Sequence, residues 1–132
     1  MLAPVRVLIA DDSEVIVQRL IAMLADIGGV EVVDSVGTIA GTREAVRRLR
    51  PDAVILDMQM PDGSGIDVLE SMKKEQLIST VIVLTNHPYA QYRKKCLHTG
   101  AKFFLDKSNE FERVGEVLQS LVRDADRASE DQ

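Results

Sequence analysis

Residues 53–65 read AVILDMQMPDGSG, and the expected fold of the chain follows from this segment. Its first four residues are apolar, which is typical of a short strand buried inside a sheet. The strand ends on Asp57, and residues 61–63 have the composition of a tight turn. Ile66, Leu69 and Met72 then recur at helical spacing. A carboxylate at the end of a central strand costs free energy unless it finds a partner, so Asp57 is the first candidate functional residue.

The order of a short apolar run followed by a helical pattern occurs five times along the chain. Strands that alternate with helices predict right-handed crossovers and a parallel sheet covered on both faces. We therefore expect an α/β fold: a three-layer α/β/α sandwich built on a five-stranded parallel sheet. The predicted strands are 5–9, 30–36, 53–56, 81–84 and 103–105; the predicted helices are 13–27, 38–50, 66–72, 89–99 and 111–122.

Length, composition and net charge argue against several classes of protein. A chain of 132 residues with one cysteine forms a single domain without a disulfide or a multi-cysteine metal site. No apolar run approaches the ~20 residues of a membrane span. The net charge of −5 argues against direct nucleic-acid binding, which usually rests on a basic face. We expect no membrane partner and a cytoplasmic protein, since one cysteine suits a reducing compartment.

The candidate site lies where the predicted strands end. In open α/β sheets the functional site lies at the carboxyl ends of the strands, and those ends carry three carboxylates, a hydroxyl and an ammonium. They are Asp11, Asp12, Asp57, Thr85 and Lys107. Carboxylates packed together repel one another and attract a cation, and an all-oxygen cluster suits Mg²⁺. A carboxylate beside such an ion can attack phosphorus and form an aspartyl phosphate.

Four motifs in this order resemble those of bacterial two-component response regulator receiver domains, the CheY-like superfamily, over residues 6–121. The motifs are the acidic pair Asp11-Asp12, the loop 57–65 (DMQMPDGSG), the segment 81–85 (VIVLT) and the segment 100–107 (GAKFFLDK). The resemblance implies the flavodoxin-like strand order 2-1-3-4-5. It also implies a receiver domain over residues 1–123, with residues 124–132 as an acidic, flexible tail.

The resemblance also implies a role for each matching residue. Asp57 is the expected phosphoacceptor, Thr85 and Lys107 are expected to contact the phosphoryl group, and Phe104 matches the switch aromatic that works with Thr85. The expected Mg²⁺ site, which Mn²⁺ could also fill, comprises Asp12 as a direct ligand, Asp57, and the backbone carbonyl of Gln59. Asp11 is expected to act through water or by orienting the site.

By resemblance, the chain is a phosphoprotein of a two-component phosphorelay. Its expected donor is a sensor histidine kinase or a histidine phosphotransfer protein, and its expected output is a downstream protein target that binds the surface of the fourth helix, fifth strand and fifth helix. We expect a stand-alone receiver that is a monomer or a weak dimer. We do not expect an enzyme, because the chemistry is confined to the chain's own phosphorylation and dephosphorylation.

Other functions remain open on the residues alone. The same fold could serve as a protein-binding module that ignores phosphorylation, or as the receiver part of a longer transcriptional regulator. A haloacid-dehalogenase-like phosphohydrolase needs a second acid two residues after the nucleophile, where this chain has Gln59. A flavodoxin-like cofactor binder needs hydroxyls and glycines after its first strand, where Asp11 and Asp12 would repel phosphate.

Overall fold

The computed structural model describes residues 3–130, which form a parallel sheet with helices on both faces. The elements are β1 (Val5–Ala10), α1 (Glu14–Ala25), β2 (Val30–Val36), α2 (Ile39–Leu49), β3 (Ala53–Leu56), β4 (Gln59–Met60), β5 (Gly63–Ser64), α3 (Gly65–Lys74), β6 (Thr80–Thr85), α4 (Ala90–His98), β7 (Phe103–Asp106) and α5 (Arg113–Glu130). The five-stranded sheet has the order β2-β1-β3-β6-β7. This is the predicted order 2-1-3-4-5, because β4 and β5 form a separate small sheet.

Two apolar clusters, one on each face of the sheet, hold the three layers together. Leu8 and Leu56 pack against α2, α3 and α4, whereas Ile9 and Ile55 pack against α1 and α5. Successive residues of a strand point to opposite faces, so a strand covered on both sides must be apolar at every position. The central strand β3 is buried along its whole length, which explains why it reads as an unbroken apolar run.

Polar side chains fix the starts of three helices. The hydroxyls of Ser13, Thr38 and Ser64 accept hydrogen bonds from backbone N–H groups in the first turns of α1, α2 and α3. The Asp67 carboxylate accepts a bond from the Ser64 N–H at 3.3 Å and completes a capping box. The helices predicted to start at 13 and 38 therefore start one residue later, because Ser13 and Thr38 are N-caps.

The turn predicted at residues 61–63 is the tip of a two-stranded antiparallel hairpin that the sequence pattern did not indicate. Gln59 pairs with Ser64 and Met60 pairs with Gly63, leaving Pro61 and Asp62 as the connection. Each strand of this β4–β5 hairpin has only two residues, too few to show an alternating pattern. The hairpin leads from Asp57 directly into α3.

Helix α5 is longer than the apolar pattern indicated. The predicted helix ended at Val122, but α5 continues to Glu130. Residues 123–125 are exposed, so no apolar stripe marks this part, and helix propagation by residues such as Ala and Arg extends it. The predicted boundary at residue 123 falls inside α5. Residues 131–132 lie outside the described part, so the division into domain and tail stays a prediction.

Within residues 3–130, no helix combines the length and apolar character that crossing a membrane requires.

Candidate functional site

Two adjacent central strands bring three carboxylates together. Ala10 is the register partner of Leu56, so the residues that follow β1 and β3 leave the sheet side by side. The Asp57 N–H donates to the Ala10 carbonyl at 2.9 Å and continues this pairing by one step. One carboxylate oxygen from each of Asp11, Asp12 and Asp57 lies within 4.8 Å of the other two. The predicted acidic cluster therefore exists in the folded chain.

The three carboxylates differ in their access to solvent. Asp11 is 5% exposed and Asp57 is 8% exposed, whereas Asp12 is exposed. The Asp11 side chain is held by the Ser13 N–H, which donates to Asp11 Oδ1 at 2.9 Å. The cluster thus combines two buried carboxylates with a third that is open to solvent.

Lys107 lies against both buried carboxylates. Its Nζ is 2.7 Å from Asp11 Oδ2 and 3.4 Å from Asp57 Oδ2, and the lysine is only 7% exposed. The Lys107 N–H donates to the Thr85 carbonyl at 2.9 Å, which continues the pairing of β6 with β7 and carries the lysine to this edge. Three carboxylates and one ammonium leave an excess of negative charge when all are ionised, so the cluster attracts a cation.

The charges around Asp57 act on its pKa in opposite directions. Burial raises the pKa of the Asp57 carboxyl above its ordinary value, because the charged form is deprived of water. The Lys107 ammonium lowers this pKa, the neighbouring Asp11 carboxylate raises it, and the net shift is upward. A second cation beside the cluster would favour the ionised form of Asp57, which is the form that acts as a nucleophile.

Thr85 ends β6 at the same edge of the sheet and is fully buried. Its Oγ1 accepts a hydrogen bond from the His87 N–H at 2.9 Å. A threonine hydroxyl is both an acceptor and a donor, so this bond leaves the hydroxyl proton free to be donated.

Phe104 packs inward. Its side chain is 4% exposed and belongs to the apolar cluster under α2, α3 and α4. The Phe104 carbonyl accepts a hydrogen bond from Arg93 Nη1 at 3.1 Å, which links α4 to β7. The predicted switch aromatic is therefore connected to the neighbouring helix through its own backbone.

The backbone near Gln59 faces the site. The Gln59 N–H lies 3.5 Å from Asp57 Oδ1, while the Gln59 side chain is exposed. The site thus offers carboxylate oxygens from Asp11, Asp12 and Asp57, and the Gln59 carbonyl as a further ligand stays a prediction. This donor set contains oxygen only and fits Mg²⁺, which prefers hard oxygen ligands and retains several waters.

The profile of the response regulator receiver domain matches residues 7–119. The chain belongs to the response regulator receiver domain family. The match covers every strand of the main sheet except the first two residues of β1, and it includes all of the candidate site residues.

Several relatives are similar to this receiver domain. The protein-glutamate methylesterase/protein-glutamine glutaminase of Rhizobium etli is 36% identical over 76% of the chain, and an uncharacterized response regulatory protein of Vibrio cholerae is 31% identical over 88%. The chain spans only 29% and 48% of the lengths of these two relatives. The crystal structure of a CheX-CheY-BeF3-Mg²⁺ complex from Borrelia burgdorferi superposes with a TM-score of 0.76 and 28% identity, covering 87% of this chain and 90% of that one.

Two features beside the receiver site were not apparent from the sequence. The Asp62 carboxylate, interpreted only as part of a turn, accepts hydrogen bonds from the N–H groups of Ile39 and Ala40 at the start of α2. These bonds lower the pKa of Asp62 below its ordinary value. The Cys96 thiol is fully buried 3.2 Å from the Met58 sulfur, and burial raises its pKa to about 11. No local pattern could reveal either contact, because the partners lie more than twenty residues apart.

Proposed function

We propose that this receiver domain takes a phosphoryl group onto Asp57 from the phosphohistidine of a sensor histidine kinase or a histidine phosphotransfer protein. The observation that carries the proposal is the buried Lys107 ammonium, which lies within 3.4 Å of carboxylate oxygens of both Asp11 and Asp57. A fully buried threonine hydroxyl stands at the same edge of the sheet. A structural role alone does not require an ammonium, three carboxylates and a hydroxyl at one edge.

The transfer is a displacement at phosphorus. A carboxylate oxygen of Asp57 forms a bond to the phosphorus atom, the bond from phosphorus to the histidine ring nitrogen breaks, and the nitrogen keeps the electron pair. Negative charge on the three outer phosphoryl oxygens must be neutralised. Lys107 is placed to pair with one oxygen, and the Thr85 hydroxyl proton is available to another.

A divalent cation completes the neutralisation. Asp12, Asp57 and the Gln59 carbonyl would hold Mg²⁺ or Mn²⁺, with Asp11 acting through water and through its bond to Lys107. When bound, such an ion supplies positive charge to the phosphoryl oxygens. The Borrelia burgdorferi neighbour was solved in a complex with Mg²⁺ and BeF3, which supports Mg²⁺ as the ion.

The signal passes from the site to a protein-binding surface. A phosphoryl group brings about −1.5 to −2 charge units and strong acceptor oxygens. These oxygens would attract the Lys107 ammonium and accept a hydrogen bond from the Thr85 hydroxyl. Thr85 is joined to β7 through the Lys107 N–H, and β7 is joined to α4 through Arg93. We propose that the downstream protein target binds the surface formed by α4, β7 and α5. The proposed chemistry is confined to Asp57, so the domain turns over no external substrate as an enzyme does.

The test is the gain of mass on incubation with phosphoramidate or acetyl phosphate, with Mg²⁺ and with a chelator. We expect the mass of one phosphoryl group in the presence of Mg²⁺ and none with the chelator or in Asp57→Ala. Asp124→Ala, which removes an exposed carboxylate from α5, is the matched control and should gain the group normally. No gain from any donor would contradict the proposal and favour a binding module that ignores phosphorylation. A gain that persists in Asp57→Ala would contradict the choice of acceptor.

A further inference from the structure

The tip of the β4–β5 hairpin is tied to the start of α2 by one carboxylate. Asp62 Oδ1 accepts from the Ile39 N–H at 2.6 Å, and Asp62 Oδ2 accepts from the Ala40 N–H at 3.1 Å. The first N–H groups of a helix have no partner inside the helix and carry partial positive charge. Asp62 accepts a hydrogen bond from one of these N–H groups on each of its two carboxylate oxygens. Hydrogen bonds to an ionised acceptor are stronger than hydrogen bonds to a neutral one.

On the hairpin side, Asp62 is connected to the backbone of Gln59. Gln59, whose carbonyl is the proposed ligand, pairs with Ser64 across the hairpin and donates its N–H toward Asp57 Oδ1. The other end of the hairpin is fixed where the Gly65 N–H donates to the Met58 carbonyl at 2.8 Å. The backbone that carries Gln59 is thus part of the same short hairpin whose tip is Asp62.

On the helix side, the start of α2 is connected to the backbone of Asp11 and Asp12. The segment between β2 and α2 lies against the backbone of Asp12, since a Cβ added at Gly37 would stand 3.4 Å from the Asp12 Cα. The Asp11 N–H donates to the Val36 carbonyl at 2.9 Å just before this segment. The start of α2 is therefore fixed relative to Asp11 and Asp12.

We propose that Asp62 is a positioning residue for the divalent cation: it ties the hairpin that carries Gln59 to the helix start that lies beside Asp12. The proposal rests on the proposed function, because it concerns the same ion. Asp62 does not contact the ion in this scheme. It fixes the distance between two parts of the site that come from chain segments more than forty residues apart in sequence.

Asp62 could instead be only a cap that stabilises α2, and Thr38 offers the control that separates the two roles. The Thr38 hydroxyl accepts from the Gly41 N–H at 3.0 Å and caps the same helix end, and its only side-chain hydrogen bond within residues 3–130 is this one. Thr38→Ala should therefore weaken the start of α2 and leave the hairpin tied. Asp62→Ala removes both hydrogen bonds to α2, whereas Asp62→Asn removes the charge and keeps one acceptor oxygen.

The experiment measures Mg²⁺ affinity by calorimetry for the wild type and the three variants, together with amide hydrogen exchange of residues 59–64 in metal-free protein. We expect Asp62→Ala to lose roughly 10- to 100-fold in Mg²⁺ affinity, the usual cost of removing a group that orients a metal ligand. Exchange at residues 59–64 should become faster in the same variant. Asp62→Asn should lose less affinity than Asp62→Ala, and Thr38→Ala should bind Mg²⁺ as the wild type does.

The alternative outcomes overturn the proposal in different ways. Equal losses in Asp62→Ala and Asp62→Asn would mean that the charge alone matters and that no tie is needed. Equal losses in Asp62→Ala and Thr38→Ala would reduce Asp62 to a helix cap. Unchanged exchange at residues 59–64 in Asp62→Ala would show that the hairpin does not depend on the tie. If the wild type itself bound no Mg²⁺, the proposed function would fail first, and the exchange measurement would still decide whether the tie exists.

Discussion

Replacing Gly65 with alanine would place a methyl group against the backbone of the proposed phosphoacceptor. A Cβ added at Gly65 would stand 2.6 Å from the Asp57 carbonyl oxygen, and 3.3 Å from both the Leu56 Cγ and the Met58 Cα. Ordinary van der Waals contact begins at 3.4 Å, so the oxygen and the methyl must separate by about 0.8 Å. Two of these three neighbours are backbone atoms, so no flexible side chain can give way in their place.

The expected cost follows from this displacement. Gly65 has no left-handed backbone angle that an alanine would resist, and alanine normally stabilises a helix by about 1 kcal/mol relative to glycine. Overpacking a rigid site costs about 1–3 kcal/mol. We therefore expect Gly65→Ala to lower the free energy of unfolding. A misplacement near 1 Å can slow a reaction by about 100-fold, so phosphorylation by phosphoramidate should also slow markedly.

The assay pairs chemical denaturation with the rate of mass gain, and Gly115→Ala is the matched control. Gly115 is also near the start of a helix, but its added Cβ would meet only side-chain atoms of Ile27 and Met23, at 3.5 Å and beyond. Gly115→Ala should be as stable as the wild type or more so, and should be phosphorylated at the normal rate. A Gly65→Ala variant that matched the control in both measurements would refute the argument, because the loop would have absorbed the methyl without moving Asp57.

Two further predictions concern titration. Because burial raises the pKa of Asp57 in the folded state, the wild type loses stability as the pH rises from the ordinary carboxyl pKa through that raised pKa. Asp57→Asn should therefore be more stable than the wild type at neutral pH. Denaturation at several pH values should show this gain shrinking in acid. Hydrogen bonds from Arg47, at 2.6 and 2.9 Å, lower the pKa of Glu75 to about 2. Arg47→Met should return it toward the ordinary value of 4.5 in an NMR titration, and an unchanged pKa would contradict this cause.

The sequence alone was enough to predict the fold and the residues that meet at one edge of the sheet. The central strands are buried on both faces, so their apolar runs are visible without a structure, and the alternation with helices fixes a parallel sheet. The rule that sites form at the carboxyl ends of strands then selects the residues that follow those runs. Asp11, Asp12, Asp57, Thr85 and Lys107 were predicted in this way, and the structure brings them to one edge of the sheet.

The burial and the contacts of these residues became visible only in the folded chain. It placed the Lys107 ammonium nearer to Asp11 than to Asp57, buried Asp11 while leaving Asp12 exposed, and joined Asp62 to a helix start 22 residues away. Sequence patterns report burial that repeats along one element, because each residue of a strand or helix faces a fixed direction. Contacts between elements depend on differences below 1 Å in how those elements pack, and no local pattern encodes such differences.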